Sequence, residues 1–348
     1  MGADARSRVG SAEVSPMADV SVALIGAGGF AGVHARRLNE IPECEVVGVQ
    51  DIVPNRAQQF ADRWFAESPH KPTAFSDMKQ MIEQKRPTAV VISTPHTLHF
   101  EHISLALEAG CHVLVEKPMV TNSEHAREIM RRAEEKSRIV CIGYNTPCTP
   151  ALARLRHIIA EHELGPLQAA SGWLSQDWKN LTMGTWRQDP GLSGGGQMYD
   201  SGAHLFNSLV WAVDEEPESV FAIADNSGTD VDINGVVTVR FRSGALANVM
   251  ICGNCAVDGS GLDFCFEDGH VAIDGWGGGW IRIQKRGSHE PDDYGLGEPS
   301  NPDRNFIRSI LGEEEPKTSP RHGLLQSLLM DAIYESAKTG QVAKVTKV

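Results

Sequence analysis

Gly26-Ala-Gly-Gly-Phe-Ala31 directly follows a short apolar run, and its spacing suits phosphate binding. Gly26 permits a tight turn, Gly28 lets backbone approach a pyrophosphate, and the small Ala31 lets the next helix pack closely on its strand. Gly29 and Phe30 complete the loop, and the helix start beyond it offers free N–H groups and a positive dipole end to an anion. Glycine turns also join strands to helices for purely geometric reasons, so a second feature is needed. Asp51 stands 25 positions after Gly26, where a carboxylate accepts from adenosine ribose hydroxyls. It repels a 2′-phosphate, which favours NAD, while Arg56 nearby leaves NADP open. The competing reading of Asp51 is a solvated loop residue before Pro54.

Two patterns invite a metal. His96, His99 and His102 recur at three-residue spacing, but such positions drift round a helix, and the Pro95 turn argues against a common face. Cys252-Gly-Asn-Cys255 has zinc-knuckle spacing, yet it ends an apolar run and has no second pair. No metal is expected at either.

These residues need elements to hold them. From 19 to about 143, short β-branched runs at 20–25, 45–49, 89–93, 112–115 and 138–142 alternate with helical stretches at 31–39, 56–65, 76–84, 100–109 and 123–136. That alternation is the sequence form of a parallel α/β sheet of the doubly wound Rossmann type. Gly110 falls where a helix C-cap belongs. After Pro150 the style changes to a helix at 151–162, a Gly- and Trp-rich passage and a helix at 203–211. Strand-like runs follow at 219–224, 235–241, 245–251, 270–273 and 280–284, separated by Gly and Asp turns. Short turns between adjacent strands favour an antiparallel or mixed sheet. A helix at 324–337 and a strand at 342–345 close the chain.

A length of 348 residues with 41% apolar content suffices for two cores. The expected organisation is a disordered tail at 1–18, a dinucleotide-binding domain at 19–143 and a substrate and assembly domain at 144–348. The formal charge of -13 repels phosphate backbones and anionic membranes, which excludes nucleic acid as a partner. No apolar run approaches the roughly 18 residues of a membrane span. Seven scattered cysteines are not a disulfide framework and fit a reducing cytoplasm.

Three further motifs lie in order. Ser93-Thr-Pro-His-Thr-Leu-His99 follows one strand, Glu116-Lys-Pro118 follows the next, and Gly194-Gly-Gly-Gln-Met-Tyr-Asp200-Ser-Gly-Ala-His204 opens a helix of the second part. With the glycine loop and His34, this set resembles the glucose-fructose oxidoreductase and inositol dehydrogenase family (Gfo/Idh/MocA) over nearly the whole chain after Asp19. The resemblance implies an NAD(P)-dependent oxidoreductase acting on a secondary hydroxyl of a sugar, glycoside or cyclic polyol such as inositol. It implies a second domain of α+β type on a large, mostly antiparallel open-faced sheet, and a homo-oligomer, dimer or tetramer, packed through those faces. It assigns catalysis to Lys117, Asp200 and His204, and places Thr94, Pro95, His99, Glu116 and Lys117 beside the cofactor.

Physical chemistry asks for the same residue types. Removing a hydride from an alcohol leaves charge on oxygen, so the site needs a base for the hydroxyl proton and a cation beside that oxygen. His204 and Lys117 are candidates. Asp200 lies four residues before His204, and if one helix holds both, the carboxylate orients the imidazole. The bland alternatives are a loop lysine and a core histidine beside Leu205 and Phe206.

Trp173, Trp178 and Trp186 precede the glycine triplet, and aromatic faces suit the C–H faces of sugars. Trp173, Trp186 and Arg187 are therefore candidate substrate contacts, with Gln188 and Asp189 as further hydroxyl readers; packing is the competing role for the tryptophans. Tyr144 and Asn145 are candidates as well, although Thr146-Pro-Cys-Thr-Pro150 replaces the basic aromatic stretch common in the family, and Asn207 stands where it often has an acid. These departures bear on substrate identity rather than reaction class. Two rival functions are a redox-neutral NAD-dependent glycosidase and a non-catalytic sensor.

Overall fold

The structure is a computed structural model that describes residues 19–276, 278–289, 291–293 and 296–345. The tail expected at 1–18 lies outside the described residues. The first half runs β1 (Val20–Ile25), α1 (Ala31–Asn39), β2 (Cys44–Gln50), α2 (Arg56–Trp64), β3 (Thr73–Phe75) and α3 (Met78–Lys85). It continues with β4 (Ala89–Ile92), α4 (His99–Glu108), β5 (His112–Val115), α5 (Ser123–Glu135) and β6 (Val140–Ile142). Among the described residues these strands form one parallel sheet in the order β3-β2-β1-β4-β5-β6. All four residues of β4 are buried, as a central strand covered on both faces requires. The strand order reverses between β1 and β4, which opens a crevice at their carboxyl ends. Gly110 closes α4 with φ +80, and the amide of Cys111 returns to the carbonyl of Ala106.

The second half contains α6 (Pro150–Ala160), β7 (Leu167–Ser175), α7 (Trp178–Leu181), α8 (Pro190–Ser193), α9 (Gly202–Val213), β8 (Pro217–Asp225), β9 (Asn234–Phe241) and β10 (Leu246–Cys252). Then come β11 (Gly259–Phe266), β12 (Gly269–Ile273), β13 (Ile281–Lys285), β14 (Asp292–Asp293), α10 (Pro302–Ile310), α11 (Pro320–Thr339) and β15 (Ala343–Lys344). The described strands form a second sheet in the order β14-β13-β12-β11-β7-β10-β9-β8-β15, parallel between β7 and β10 and antiparallel at every other pairing. Leu205, Phe206 and Leu209 of α9 and Leu329 and Ile333 of α11 share a core with Val237, Val239, Val249 and Ile251 of the sheet. The opposite face leaves Phe221, Ile223, Val236, Leu246 and Met250 exposed.

Seven elements go beyond the expected set: β3, β7, α7, α8, β11, β14 and α10. In β7, Ala, Ser and Gly outnumber the residues that favour strands, so pairing on both sides decides its state. Gly259 and Gly261 of β11 leave room for the Trp173 ring, which a Cβ at either would meet within 2.8 Å. α10 starts at Asn301, whose side chain accepts from the amide of Arg304, followed by Pro302 in the first turn. α11 begins four residues before the expected 324, because Ser319 and His322 form a capping box ahead of Pro320. α10 buries Phe306 and Ile307 among Val20, Leu24 and Ala35 of the first sheet's core, so late chain stabilises the nucleotide half.

Candidate active site

The glycine loop leaves β1 at Gly26, where φ is +89 and an added Cβ would lie 2.8 Å from the carbonyl oxygen of Ser93. Only glycine joins that backbone conformation to so close an approach. At Gly28 and Gly29 an added Cβ would meet nothing within 4 Å. α1 has neither a side-chain cap nor an acidic residue in its first turn. Among the described residues, the amides of Gly28, Gly29 and Phe30 have no protein acceptor. An open, uncapped helix start of this kind fits a pyrophosphate.

Asp51 ties its Oδ2 to the amide of Ala27 at 2.9 Å and its Oδ1 to that of Val53 at 2.8 Å, with Arg56 3.6 Å away. The carboxylate thus stands against the loop it was expected to serve. The three spaced histidines face different partners. His99 is buried, with its ring nitrogens 2.8 and 2.9 Å from the carbonyl oxygens of Pro118 and Thr94, so it braces the two turns beside the crevice. His102 bonds the Thr94 hydroxyl, and His96 bonds the carbonyl of Ser193.

Glu116 and Lys117 emerge from the end of β5. Lys117 Nζ donates to Asp200 Oδ1 at 2.6 Å and to the Asp200 carbonyl at 3.0 Å. Asp200 Oδ2 accepts from Trp178 Nε1 at 2.8 Å and Arg187 Nε at 3.0 Å. Burial opposes the charge of Asp200, yet the Lys117 and Arg187 cations, with the hydrogen bond from Lys117, hold the carboxyl well below its ordinary range. It is therefore a carboxylate already committed to its neighbours.

This corrects the expected pairing of Asp200 with His204. α9 starts at Gly202, so Asp200 precedes the helix and the two do not share a helical face. Among the described residues no hydrogen bond reaches either ring nitrogen of His204; the ring packs against Trp276 at 4.5 Å and Tyr144 at 5.7 Å. Burial, then the Lys117 charge, pushes the His204 pKa down to about 3. The imidazole is neutral at neutral pH and so has a lone pair to offer.

His34 of α1 lies fully buried between Asp303 Oδ1 at 2.6 Å and Glu116 Oε1 at 3.1 Å. Burial disfavours its charge, but the two carboxylates win and raise its pKa to about 10. This imidazolium braces Glu116 from behind and links α10 to the site.

A cleft of ≈ 200 Å³ gathers Lys117, Asp200 and His204 with Phe30, Thr94, His96, Glu116, Trp186, Arg187 and Trp276. A larger groove, ≈ 580 Å³, lies by Arg156 and Asp214 and contains none of Lys117, Asp200 and His204. Three expected substrate contacts are elsewhere. Tyr144 is buried behind His204, Asn145 accepts from Arg37, and Trp173 lies on β7 over the glycines of β11. Asn207 is fully buried, with both ends of its amide unpaired among the described residues, and it does not line the cleft. Trp276 was not anticipated; its one signal is a tryptophan amid the glycines of a turn.

The glycine triplet places Asp200. Asp232 accepts from the amides of Gly196 and Met198 at 2.7 and 2.8 Å and from the Tyr334 hydroxyl at 2.6 Å. A Cβ at Gly196 would lie 1.9 Å from the Asp232 carbonyl oxygen, so this approach admits glycine alone.

Comparison with known proteins matches residues 20–144 to an oxidoreductase family with an NAD-binding Rossmann fold and residues 152–272 to the GFO/IDH/MocA C-terminal domain. The D-glucoside 3-dehydrogenase of Escherichia coli (strain K12) is 28% identical, covering 92% of this chain and 95% of that one. An inositol 2-dehydrogenase of Arthrobacter sp. (strain FB24) is 30% identical, covering 76% and 77%. A levoglucosan dehydrogenase solved in complex with NADH superposes with a TM-score of 0.83 at 21% identity, covering 94% of this chain and 100% of that one. Matched in order along both of its halves, the chain belongs to the GFO/IDH/MocA family of NAD-binding oxidoreductases.

Proposed function

We propose that the protein is a dehydrogenase that moves a hydride between a nicotinamide dinucleotide and a secondary hydroxyl of a sugar, glycoside or cyclic polyol, with Lys117 and His204 handling the reacting oxygen. One observation carries this reading: a lysine anchored by a buried carboxylate and a neutral histidine share a cleft with the glycine loop and the Thr94 turn. The bound nicotinamide supplies the hydride acceptor. His204 takes the hydroxyl proton, and Lys117, held on Asp200, stabilises charge developing on the same oxygen. Glu116, braced by His34, faces the cofactor end of the cleft, and Asp51 and Arg56 lie at the adenosine end. Trp186, Arg187 and Trp276 supply aromatic and polar walls for a hydroxylated ring.

The test is absorbance of reduced nicotinamide with NAD or NADP and a panel of hexoses, glycosides and inositols, with product sugars assayed in parallel. Cofactor reduction that tracks one substrate supports the reading. Tight cofactor binding and aglycone release without net reduction would replace it with the glycosidase. Two finer readings accompany it. The exposed apolar row of the second sheet supports a homo-oligomer through that face, and seven free cysteines fit a reducing cytoplasm.

A further inference from the structure

We propose that His96 is a substrate-recognition residue whose Nε2 accepts a hydrogen bond from the sugar hydroxyl next to the one oxidised. The proposal rests on the sugar dehydrogenase reading and adds a subsite to it. His96 follows Pro95 in a short turn and is nearly buried, with its remaining exposure in the cleft. Its Nδ1 lies 3.0 Å from the Ser193 carbonyl oxygen. A carbonyl only accepts, so Nδ1 carries the proton. Burial pushes the pKa well below the ordinary histidine value, so the ring is neutral and Nε2 is left with a lone pair. The ring is held edge-on between Trp186 at 4.8 Å and His99 at 5.9 Å.

Asp200 Oδ1, itself an acceptor, lies 3.9 Å from that lone pair. Among the described residues no hydrogen bond is made to His96 Nε2; Lys117 Nζ, Trp178 Nε1 and Arg187 Nε bond to Asp200 instead. An acceptor that opens on the cleft takes its donor from whatever occupies the cleft. Carboxylates and phosphodiesters bring no donor at neutral pH, and a phosphomonoester is mostly its donorless dianion. An ammonium brings one, but beside the positive charges of Lys117 and Arg187. A hydroxyl donates without charge, so a hydroxyl is the matching group. Lys117 Nζ and His96 Nε2 both approach the same oxygen of Asp200, at 2.6 and 3.9 Å. The two nitrogens thus stand close enough for hydroxyls on neighbouring carbons to meet both, which makes a vicinal diol at the reacting position the fitting substrate.

The tautomer is read first, without turnover, from the ring nitrogen resonances of the holoenzyme at neutral pH. A protonated Nδ1 and a bare Nε2 are expected; a protonated Nε2 overturns the proposal. Turnover then separates recognition from packing. His96→Asn keeps a donor where Nδ1 stood and loses the Nε2 acceptor, whereas His96→Gln keeps an acceptor where Nε2 stood. On a sugar the wild type oxidises, His96→Asn is expected to lower kcat/KM by roughly tenfold or more, with most of the loss restored in His96→Gln. On the analogue deoxygenated at the neighbouring carbon, the same change is expected to cost less than about threefold. Equal losses on both substrates, or none on either, overturn the proposal. Failure of the wild type to oxidise any sugar is a different result, which removes the dehydrogenase reading itself.

Discussion

Lys117 gives two hydrogen bonds to Asp200, one to the side chain and one to the backbone, so its ammonium is fixed, while among the described residues the His204 ring nitrogens bond to nothing. Lys117→Ala is expected to lower kcat by about 10²- to 10⁴-fold while NAD affinity, measured by protein fluorescence, stays within about threefold. Asp200→Asn removes the counter-charge of two cations and is expected to reduce kcat too; equal turnover in either variant contradicts the assignment. The two buried histidines titrate with opposite signs. His34, raised to about 10, contributes stability that is complete below its unfolded value of about 6.5 and is lost as pH rises through about 10. His204, lowered to about 3, contributes stability that is complete above about 6.5 and is lost as pH falls towards 3. Denaturation midpoints measured against pH should show the wild type's advantage over His34→Gln shrinking from neutral pH upward. An advantage that instead grows towards pH 10 would show that His34 is neutral.

α10 and the Gly194–Gly196 turn connect packing to chemistry. Phe306→Ala is expected to cost about 3–5 kcal/mol of stability in urea unfolding. Because α10 also carries Asp303, the change should weaken NAD binding by loosening His34 and Glu116; unchanged affinity would show that α10 is packing alone. The elements around the nucleotide were legible because strong strand formers alternate with helices and the glycine spacing is local. β7 was not, since a strand of Ala, Ser and Gly exists through its neighbours on both sides, a tertiary effect no short window contains. The site divides the same way. Lys117, Asp200 and His204 stand in motifs and meet in one cleft. The Asp200–Lys117 bond and the Asp303–His34 pair join residues 83 and 269 positions apart, and spacing along the chain is silent about both. The expected Asp200–His204 pairing failed for a local reason, a helix that starts at Gly202.

On the scale of the whole molecule, a buried parallel sheet presents the nucleotide crevice, and the second sheet, through α9 and its preceding turn, supplies the substrate wall. The far face of that second sheet exposes Phe221, Ile223, Val236, Leu246 and Met250, with Val236 paired between Ile223 and Met250, an apolar row of the kind that marks an interaction surface. Ile223→Lys with Met250→Lys is expected to lower the sedimentation coefficient to that of a smaller species with the fold retained; an unchanged coefficient would place the interface elsewhere or show a monomer. The central claim is hydride transfer from a ring carbon, and isotopic label tests it most directly. The enzyme would be incubated with NAD or NADP and with glucose, methyl glucoside or myo-inositol deuterated at every C–H position, and the mass of the cofactor read. Reduced cofactor carrying one deuterium from the sugar is the expected result. Cofactor that returns oxidised and unlabelled while every sugar is unchanged, with binding intact, would contradict it.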